Sequence, residues 1–278
     1  MLTRRLLPMP NLNSKKIGIT ERGDAGRDLS WYDKMLVDDS IEGAVIITKN
    51  IDSADFRSKL LDMHKNGKPC ILHATVTGWG FSPMEPRVAT PATAIDHIRK
   101  VIDDGFPADR VVLRVDPIIP TPEGIQRAYS VITRANVVIP DVKRIRISVY
   151  DDYHGARDEM IARGYAPIDT FGKWKNEQER RPSRTAIQSI IKMLIQTNNV
   201  GTRVFECCAE PELAKAHPSI FVEQGCVSEQ DYLLMGLIPP LSLPNKYTRF
   251  GCKCLSTKKE LLTERKPCPN NCAYCYWR

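Results

Sequence analysis

The sequence predicts an α/β domain built on a parallel sheet. Short apolar runs alternate with helix-period segments from residue 17 to residue 208. Runs such as Val111-Val-Leu-Arg-Val115 are rich in β-branched residues, as strands buried on both faces tend to be. At 278 residues and 42% hydrophobic content, the chain is long and apolar enough to bury a sizeable core.

In chain order the expected strands cover 17–20, 44–48, 70–77, 111–118, 142–150 and 203–208. The expected helices cover 31–37, 54–66, 91–104, 124–135, 155–163 and 183–197. In the last of these Ile187, Ile190, Ile191, Leu194 and Ile195 recur at helical spacing, with Ser183 placed to cap the start. Six β/α units joined by right-handed crossovers fit one domain, either a partial barrel or a doubly wound sheet. After residue 209 prolines at 211, 218, 239, 240 and 244 and a run of cysteines predict irregular structure held by metal. The expected organisation is therefore a six-unit α/β domain over 14–209 and a cysteine-rich extension over 210–278.

Composition narrows the function classes. No apolar run reaches the ~18 residues of a membrane span. The opening Met1–Pro8 is short and broken by proline, which makes a poor signal peptide and predicts a cytoplasmic protein. The net charge of +7, with basic runs at Lys143-Arg144-Ile-Arg146, Arg180-Arg181-Pro-Ser-Arg184 and Lys258-Lys259, suits a nucleic-acid partner as well as a solvated surface.

Eight of the nine cysteines lie after residue 200, Cys70 being the exception. Without a signal peptide this points to metal binding rather than disulfides. Cys268, Cys272 and Cys275 stand at C-x3-C-x2-C spacing, with Tyr274 just before the third. Three thiolates can hold three irons of a [4Fe–4S] cluster and leave the fourth open to a ligand. The alternative is a zinc site, although structural zinc usually takes four protein ligands. Cys208, Cys226, Cys252 and Cys254 supply a second set of four, suited to another [4Fe–4S] cluster or to zinc. Cys207 competes with Cys208, but on a strand the two face opposite sides and only one can point at the metal.

Taken in order, Thr20-Glu-Arg22-Gly-Asp24, Thr48-Lys49-Asn50, Thr75-Val-Thr77-Gly78 with Glu85-Pro86, Arg114-Val-Asp116-Pro117, Ser148-Val-Tyr-Asp151, Cys208-Ala-Glu210, Cys226, Cys252-Lys-Cys254 and the closing cysteine run form a set spanning 20–276. On these segments the chain resembles a radical S-adenosylmethionine (SAM) family that carries a C-terminal CxxxCxxC cluster motif and is related to spore photoproduct lyase. It departs from that family in the lysine-rich link 255–266 and in a shortened stretch between Tyr32 and Ala44.

The resemblance implies a (βα)6 partial TIM barrel, circularly permuted so that the cluster loop is C-terminal. It implies a [4Fe–4S] cluster at Cys268, Cys272 and Cys275 that cleaves SAM reductively to a 5′-deoxyadenosyl radical. A reductant protein such as flavodoxin or ferredoxin is then expected. The relation to the lyase, with the basic charge, favours a thymine-type base in DNA, amino-acyl-modified or not, and isomerase or lyase chemistry. A small-molecule or peptide substrate, or a zinc-stabilised nucleic-acid-binding module without catalysis, is the alternative.

Polar residues at the ends of strands are the expected cofactor contacts. These are Thr48, Lys49, Thr75, Thr77, Arg114, Asp116 and Ser148, with Glu206 or Glu210 nearby and Tyr274 from the cysteine run. Arg114 suits the carboxylate of SAM, or forms a structural ion pair with Asp116. His73 and Cys70 are expected to be packed in the core. Trp31, Trp79, Phe81, Tyr150 and Tyr153 supply aromatic surface for packing or base stacking. No catalytic residue is assigned.

Overall fold

The computed structural model describes residues 16–165, 171–176, 179–198, 203–208, 210–239, 252–255, 258–262 and 267–275. The opening Met1–Pro8 and half of the lysine-rich link 255–266 lie outside them. The chain runs β1 (Lys16–Ile19), α1 (Ser30–Val37), β2 (Ile41–Thr48), α2 (Ala54–Asn66), β3 (Cys70–Thr75), α3 (Pro91–Asp103), β4 (Val111–Ile118), α4 (Pro122–Val138) and β5 (Arg144–Val149). It continues with β6 (Asp152–Tyr153), α5 (His154–Ala162), β7 (Phe171–Asn176), β8 (Glu179–Pro182), α6 (Arg184–Thr197) and β9 (Val204–Cys208). Four further elements follow: α7 (Pro211–Ala216), β10 (Phe221–Gln224), α8 (Glu229–Leu234) and β11 (Lys258–Glu260).

Side-chain caps set several helix starts. Ser53, Thr90, Thr121 and Ser183 each accept a hydrogen bond from the backbone N–H three residues on. Pro91 and Pro122 follow their caps, where a missing N–H costs nothing.

All six expected strands form and pair in parallel within one eight-stranded sheet of order β10-β9-β5-β4-β3-β2-β1-β11. Irregular structure after residue 209 was the expectation, but β10 and β11 lie there and form the two edges of this sheet. At four and three residues they are too short to show a period, and each forms against a strand already in place. The hairpin β7–β8 with β6 makes a separate antiparallel sheet that alternation did not predict either. No helix among the described residues is long and apolar enough to cross a membrane.

The two faces of the main sheet separate by parity. One face sends Ala44, Ile46, Cys70, Leu72, Ala74, Val111, Leu113, Val115, Ile145, Ile147, Phe205 and Cys207 into the core shared with α1–α4 and α6. The other face carries Ile17, Ile19, Val45, Ile71 and Val112, covered by Val227, Tyr232 and Met235 around α8 and by Leu255. The same parity brings His73, Arg114, Arg144, Arg146, Glu206 and Cys208 to this second face. It is apolar on β1 and β2, mixed on β3 and β4 through His73 and Arg114, and charged on β5 and β9.

A buried ionic network occupies the charged part. Arg144 pairs with Glu206 at 2.5 Å and with Asp231 at 2.8 Å. Arg146 Nε donates to Glu206 at 2.9 Å, and its Nη1 donates to the Cys226 carbonyl at 2.7 Å. Asp231 also accepts from the Ser228 backbone N–H, in a capping box that starts α8. Two guanidinium groups against two carboxylates leave the network neutral, which a buried site requires. The arginines hold both carboxyls below their usual range although burial pushes the other way.

His73 lies among these groups, its Nε2 3.3 Å from Arg146 Nη1. Burial and the Arg146 charge push its pKa down to about 4, so the folded chain holds it neutral. The unfolded chain then binds one more proton between about pH 6.5 and 4, and stability falls as pH falls through that window. The loss is on the order of 3 kcal/mol by linkage. Denaturant titrations of the native chain and of His73→Gln at a series of pH values check this, the variant being expected to lack that part of the slope. Equal slopes for the two proteins would contradict it.

Candidate metal centres

Because the strands of the main sheet are parallel, their C-terminal ends share one side, the place where polar loop residues converge. The cysteine loop 268–275 seats on that side. Ala273 N donates to the Met84 carbonyl at 2.9 Å. Asn270 donates to Asp24 Oδ2 at 2.8 Å and accepts from Asn50 Nδ2 at 2.7 Å, all three side chains being buried. Arg163 Nη1 donates to the carbonyls of Asn271 and Pro83 at 2.9 and 2.7 Å. Asn271 takes a left-handed backbone at φ 52°, a region asparagine tolerates better than most residues. The loop is thus held by groups that follow β1, β2 and β3 and by α5.

Tyr274 turns inward and is buried. Its hydroxyl donates to Glu85, and Lys49 Nζ donates to both Glu85 Oε1 (2.8 Å) and Tyr274 Oη (2.9 Å). Burial opposes the charge on Lys49, but Glu85 and the nearby Cys272 keep its pKa above the usual value. Burial, Glu85 and Cys272 drive the Tyr274 pKa well up, so the phenol stays protonated. Burial lifts the Cys272 thiol to about 12 and raises Cys268 as well. Such thiols become thiolates when a cation replaces the proton, which is what a metal ligand does.

A cavity of about 340 Å³ opens beside the loop, lined by Trp79, Met84, Ile119, Met160 and Tyr165 among others. Trp79 and Tyr165 meet edge to face with centroids 5.1 Å apart, and the Arg127 guanidinium stands over the indole at 4.3 Å. Trp79, Met84 and Met160 also pack with Cys272, Ala273 and Tyr274.

The second cysteine set lies on the covered face of the sheet. Cys208 ends β9, Cys226 follows β10, and Cys252 and Cys254 precede β11. Cys208 Sγ is 3.2 Å from Cys226 Sγ and 3.7 Å from Cys252 Sγ, and Cys226 is 3.8 Å from Cys252. Cys254 Sγ lies with Cys226 Sγ and a Glu21 carboxylate oxygen in a group spanning no more than 4.8 Å. Hydrogen bonds from Cys208, Cys252 and Cys254 hold the Cys226 thiol well below its usual pKa, while Cys208, Cys252 and Cys254 are raised. The cysteines close together here can bind a metal or an iron–sulfur cluster. Cys207 points into the helix-covered core.

The other expected contacts divide. Lys49, Thr77 and Tyr274 come together at the loop, Thr77 hydrogen-bonding Tyr274. Thr75 and Ser148 are buried. Arg114 pairs with Asp116, the structural alternative, but its Nε is buried with no hydrogen-bond partner among the described residues. Thr48 organises the turn instead: its hydroxyl donates to Asp24 at 2.6 Å and accepts from the Asn50 N–H at 2.8 Å. Glu206 is taken up by Arg144 and Arg146, and Glu210 by Arg181 at 3.0 Å. Cys70 is buried, its thiol pushed up to about 12. Trp31 is core and Phe81 is exposed. The side chains of Tyr153 and Arg180 lie outside the described part of the molecule. Asp24, Asn50, Asn270 and Arg163 were not singled out from sequence. The first two stand inside motif segments and Asn270 inside the cysteine run, but nothing local pairs residues more than 200 positions apart.

Asn270→Ala removes the bridge between Asp24 and Asn50 and leaves the buried Asn50 Nδ2 without its acceptor, while Asp24 Oδ2 keeps the Lys49 N–H. The expected cost is about 2 kcal/mol. Hydrogen exchange is expected to show faster amide exchange across 268–275 with the central strands unchanged.

A search of curated proteins found no match to the chain. The family model described as a domain of unknown function, DUF1848, matches residues 30–277, nearly the whole chain and both cysteine sets, and on that span the chain belongs to the DUF1848 family.

Proposed function

We propose that this chain is a radical SAM enzyme whose [4Fe–4S] cluster is held by Cys268, Cys272 and Cys275. The observation that carries the reading is the seating of that three-cysteine loop on the C-terminal side of a parallel α/β sheet, beside a cavity. The donor set fits: three thiols and no fourth cysteine in the loop match a cluster with one iron left open. Among the described residues these three sulfurs do not form a group as tight as 4.8 Å, as Cys208, Cys226 and Cys252 do. When bound, the cluster and SAM supply one-electron cleavage of a carbon–sulfur bond and a hydrogen-abstracting 5′-deoxyadenosyl radical.

The chain's own residues hold and shield that chemistry. The Asp24–Asn270–Asn50 bridge fixes the loop. Lys49 places a positive charge beside Cys272, offsetting thiolate charge in a buried setting. Tyr274, held by Glu85, packs under the loop and keeps water from that side. The free Nε of Arg114 suits a carboxylate such as that of SAM.

The substrate we infer is a thymine-type base in DNA, amino-acyl-modified or not, undergoing isomerisation or carbon–carbon bond chemistry. A cavity with an indole, a phenol ring and apolar side chains suits a planar base turned out of its stack. Exposed Arg87, which donates to the Pro269 carbonyl, and neighbouring Arg27 bring positive charge beside the cysteine loop.

Anaerobic purification, reduction and addition of SAM are expected to yield 5′-deoxyadenosine and methionine. Cys272→Ala is expected to lose this activity. Arg114→Lys is expected to raise the KM for SAM about tenfold with little change in kcat, since lysine lacks the planar fork. An iron-replete native chain that leaves SAM intact would end the enzyme reading. For the substrate, DNA affinity is expected to fall steeply between about 50 and 200 mM salt, roughly one power of salt per phosphate contacted. Mass spectrometry of thymine-modified DNA after incubation is expected to show SAM-dependent conversion. Failure to bind DNA even at low salt, with SAM cleavage intact, redirects the search to small molecules or peptides.

A further inference from the structure

We propose that Cys208, Cys226, Cys252 and Cys254 hold a single tetrahedral zinc ion that clasps the two edges of the main sheet together.

The first support is the spacing of the sulfurs. Four thiolates about 2.3 Å from one ion in a tetrahedron stand about 3.8 Å from one another. The separations among Cys208, Cys226 and Cys252 are 3.2, 3.7 and 3.8 Å. In a cubane cluster each thiolate binds a different iron and points outward from its corner, so the sulfurs stand farther apart than around one ion. The interior of this set has room for an ion and not for eight cluster atoms. Cys254 Sγ lies within 4.8 Å of Cys226 Sγ, in a group that includes Glu21 and not both Cys208 and Cys252, so it is the ligand that has to draw in on metal binding. A four-sulfur tetrahedron closed in that way leaves no open position for a substrate.

Charge is the second support. Four thiolates around a divalent ion carry a net charge of −2, which burial penalises unless cations stand by. Lys258 Nζ lies 3.8 Å from Cys254 Sγ while it also pairs with Glu21 at 2.8 Å, and Arg146, whose charge Glu206 and Asp231 already balance, donates to the Cys226 carbonyl, so the charge of the site is shared with these pairs. The Arg114 and Arg146 charges act on both Cys208 and Cys226.

Topology is the third. β10 and β11 are the free edges of an otherwise continuous parallel sheet. The cysteines come from the β9–β10 edge on one side and from the segment leading into β11 on the other. That segment already touches the opposite edge: Leu255 N donates to the Val227 carbonyl at 3.2 Å. A Cβ at Gly225 would lie 2.5 Å from the Cys254 backbone nitrogen, so the approach requires glycine. Lys253 also pairs with Glu223 of β10 at 2.8 Å, and Leu255 packs with Val227 and Tyr232. An ion bonded to both sides adds a far stronger link than these contacts.

The test uses the full chain with Cys268, Cys272 and Cys275 all changed to Ala, produced with iron and zinc both supplied. The expected result is about one zinc per chain with iron and sulfide reduced to traces, and zinc-edge X-ray absorption showing four sulfurs at about 2.3 Å. The same absorption measurement on the unaltered chain gives an independent reading should the triple variant fold poorly. Iron at this site, alone or with sulfide, overturns the proposal, and so does a chain without bound metal. These outcomes are separate from SAM cleavage, which the triple variant cannot perform, so the two readings fail independently.

Discussion

The parallel pairing of β11 with β1 is the contact on which the placement of the cysteine loop depends. Parallel strands leave a sheet at the same side, so a chain that enters beside β1 must emerge where β1 emerges. Lys258, Lys259 and Glu260 align with Ile17, Gly18 and Ile19, and Leu261 N extends the ladder to the Ile19 carbonyl at 2.8 Å. Glu260 then accepts the backbone N–H groups of Glu21 and Arg22. Leu261 and Leu262 are buried in the main core, anchoring the chain just before the cysteines. Gly18 makes room for this: a Cβ there would lie 2.8 Å from Leu261 Cδ1. Antiparallel pairing at the same edge would have delivered Cys268 to the opposite side of the sheet.

The two cysteine sets meet different physical demands. The loop 268–275 hangs on side-chain hydrogen bonds with Asp24, Asn50 and Arg163 and packs on Trp79, Met84 and Met160, part of the wall of the cavity. The set of four lies on a covered face between the sheet edges, with lysine and arginine charge around it.

Beside the set of four lies the network of Arg144, Arg146, Glu206 and Asp231. It is the charged counterpart of the apolar layer formed by Ile17, Val45, Ile71 and Val112 on the same face. Breaking such a network by removing one partner costs about 3–5 kcal/mol, because the charge left behind is buried. Through Asp231 it also fixes the start of α8, and through Arg146 it touches the Cys226 backbone. The stability of this face and the position of the four cysteines are therefore coupled.

Several features were legible from the chain alone because they rest on local physics. The six strands of the β/α units and their six helices follow from runs and periods within a few residues of one another. The C-x3-C-x2-C run and the two cysteine sets stand out by spacing and residue type. The opposite facing of Cys207 and Cys208 follows from the strand period. What the sequence could not contain was long-range geometry. β10 and β11 are too short to announce themselves and exist because an edge was waiting. Thr48 was expected as a cofactor contact, and only the folded chain shows that its hydroxyl also ties Asp24 to the turn at Asn50. Glu206 looked like a site residue until two arginines from a neighbouring strand claimed it. Asn270 acquired its meaning from Asp24 and Asn50, more than 200 residues away, which only the folded sheet brings within hydrogen-bond reach.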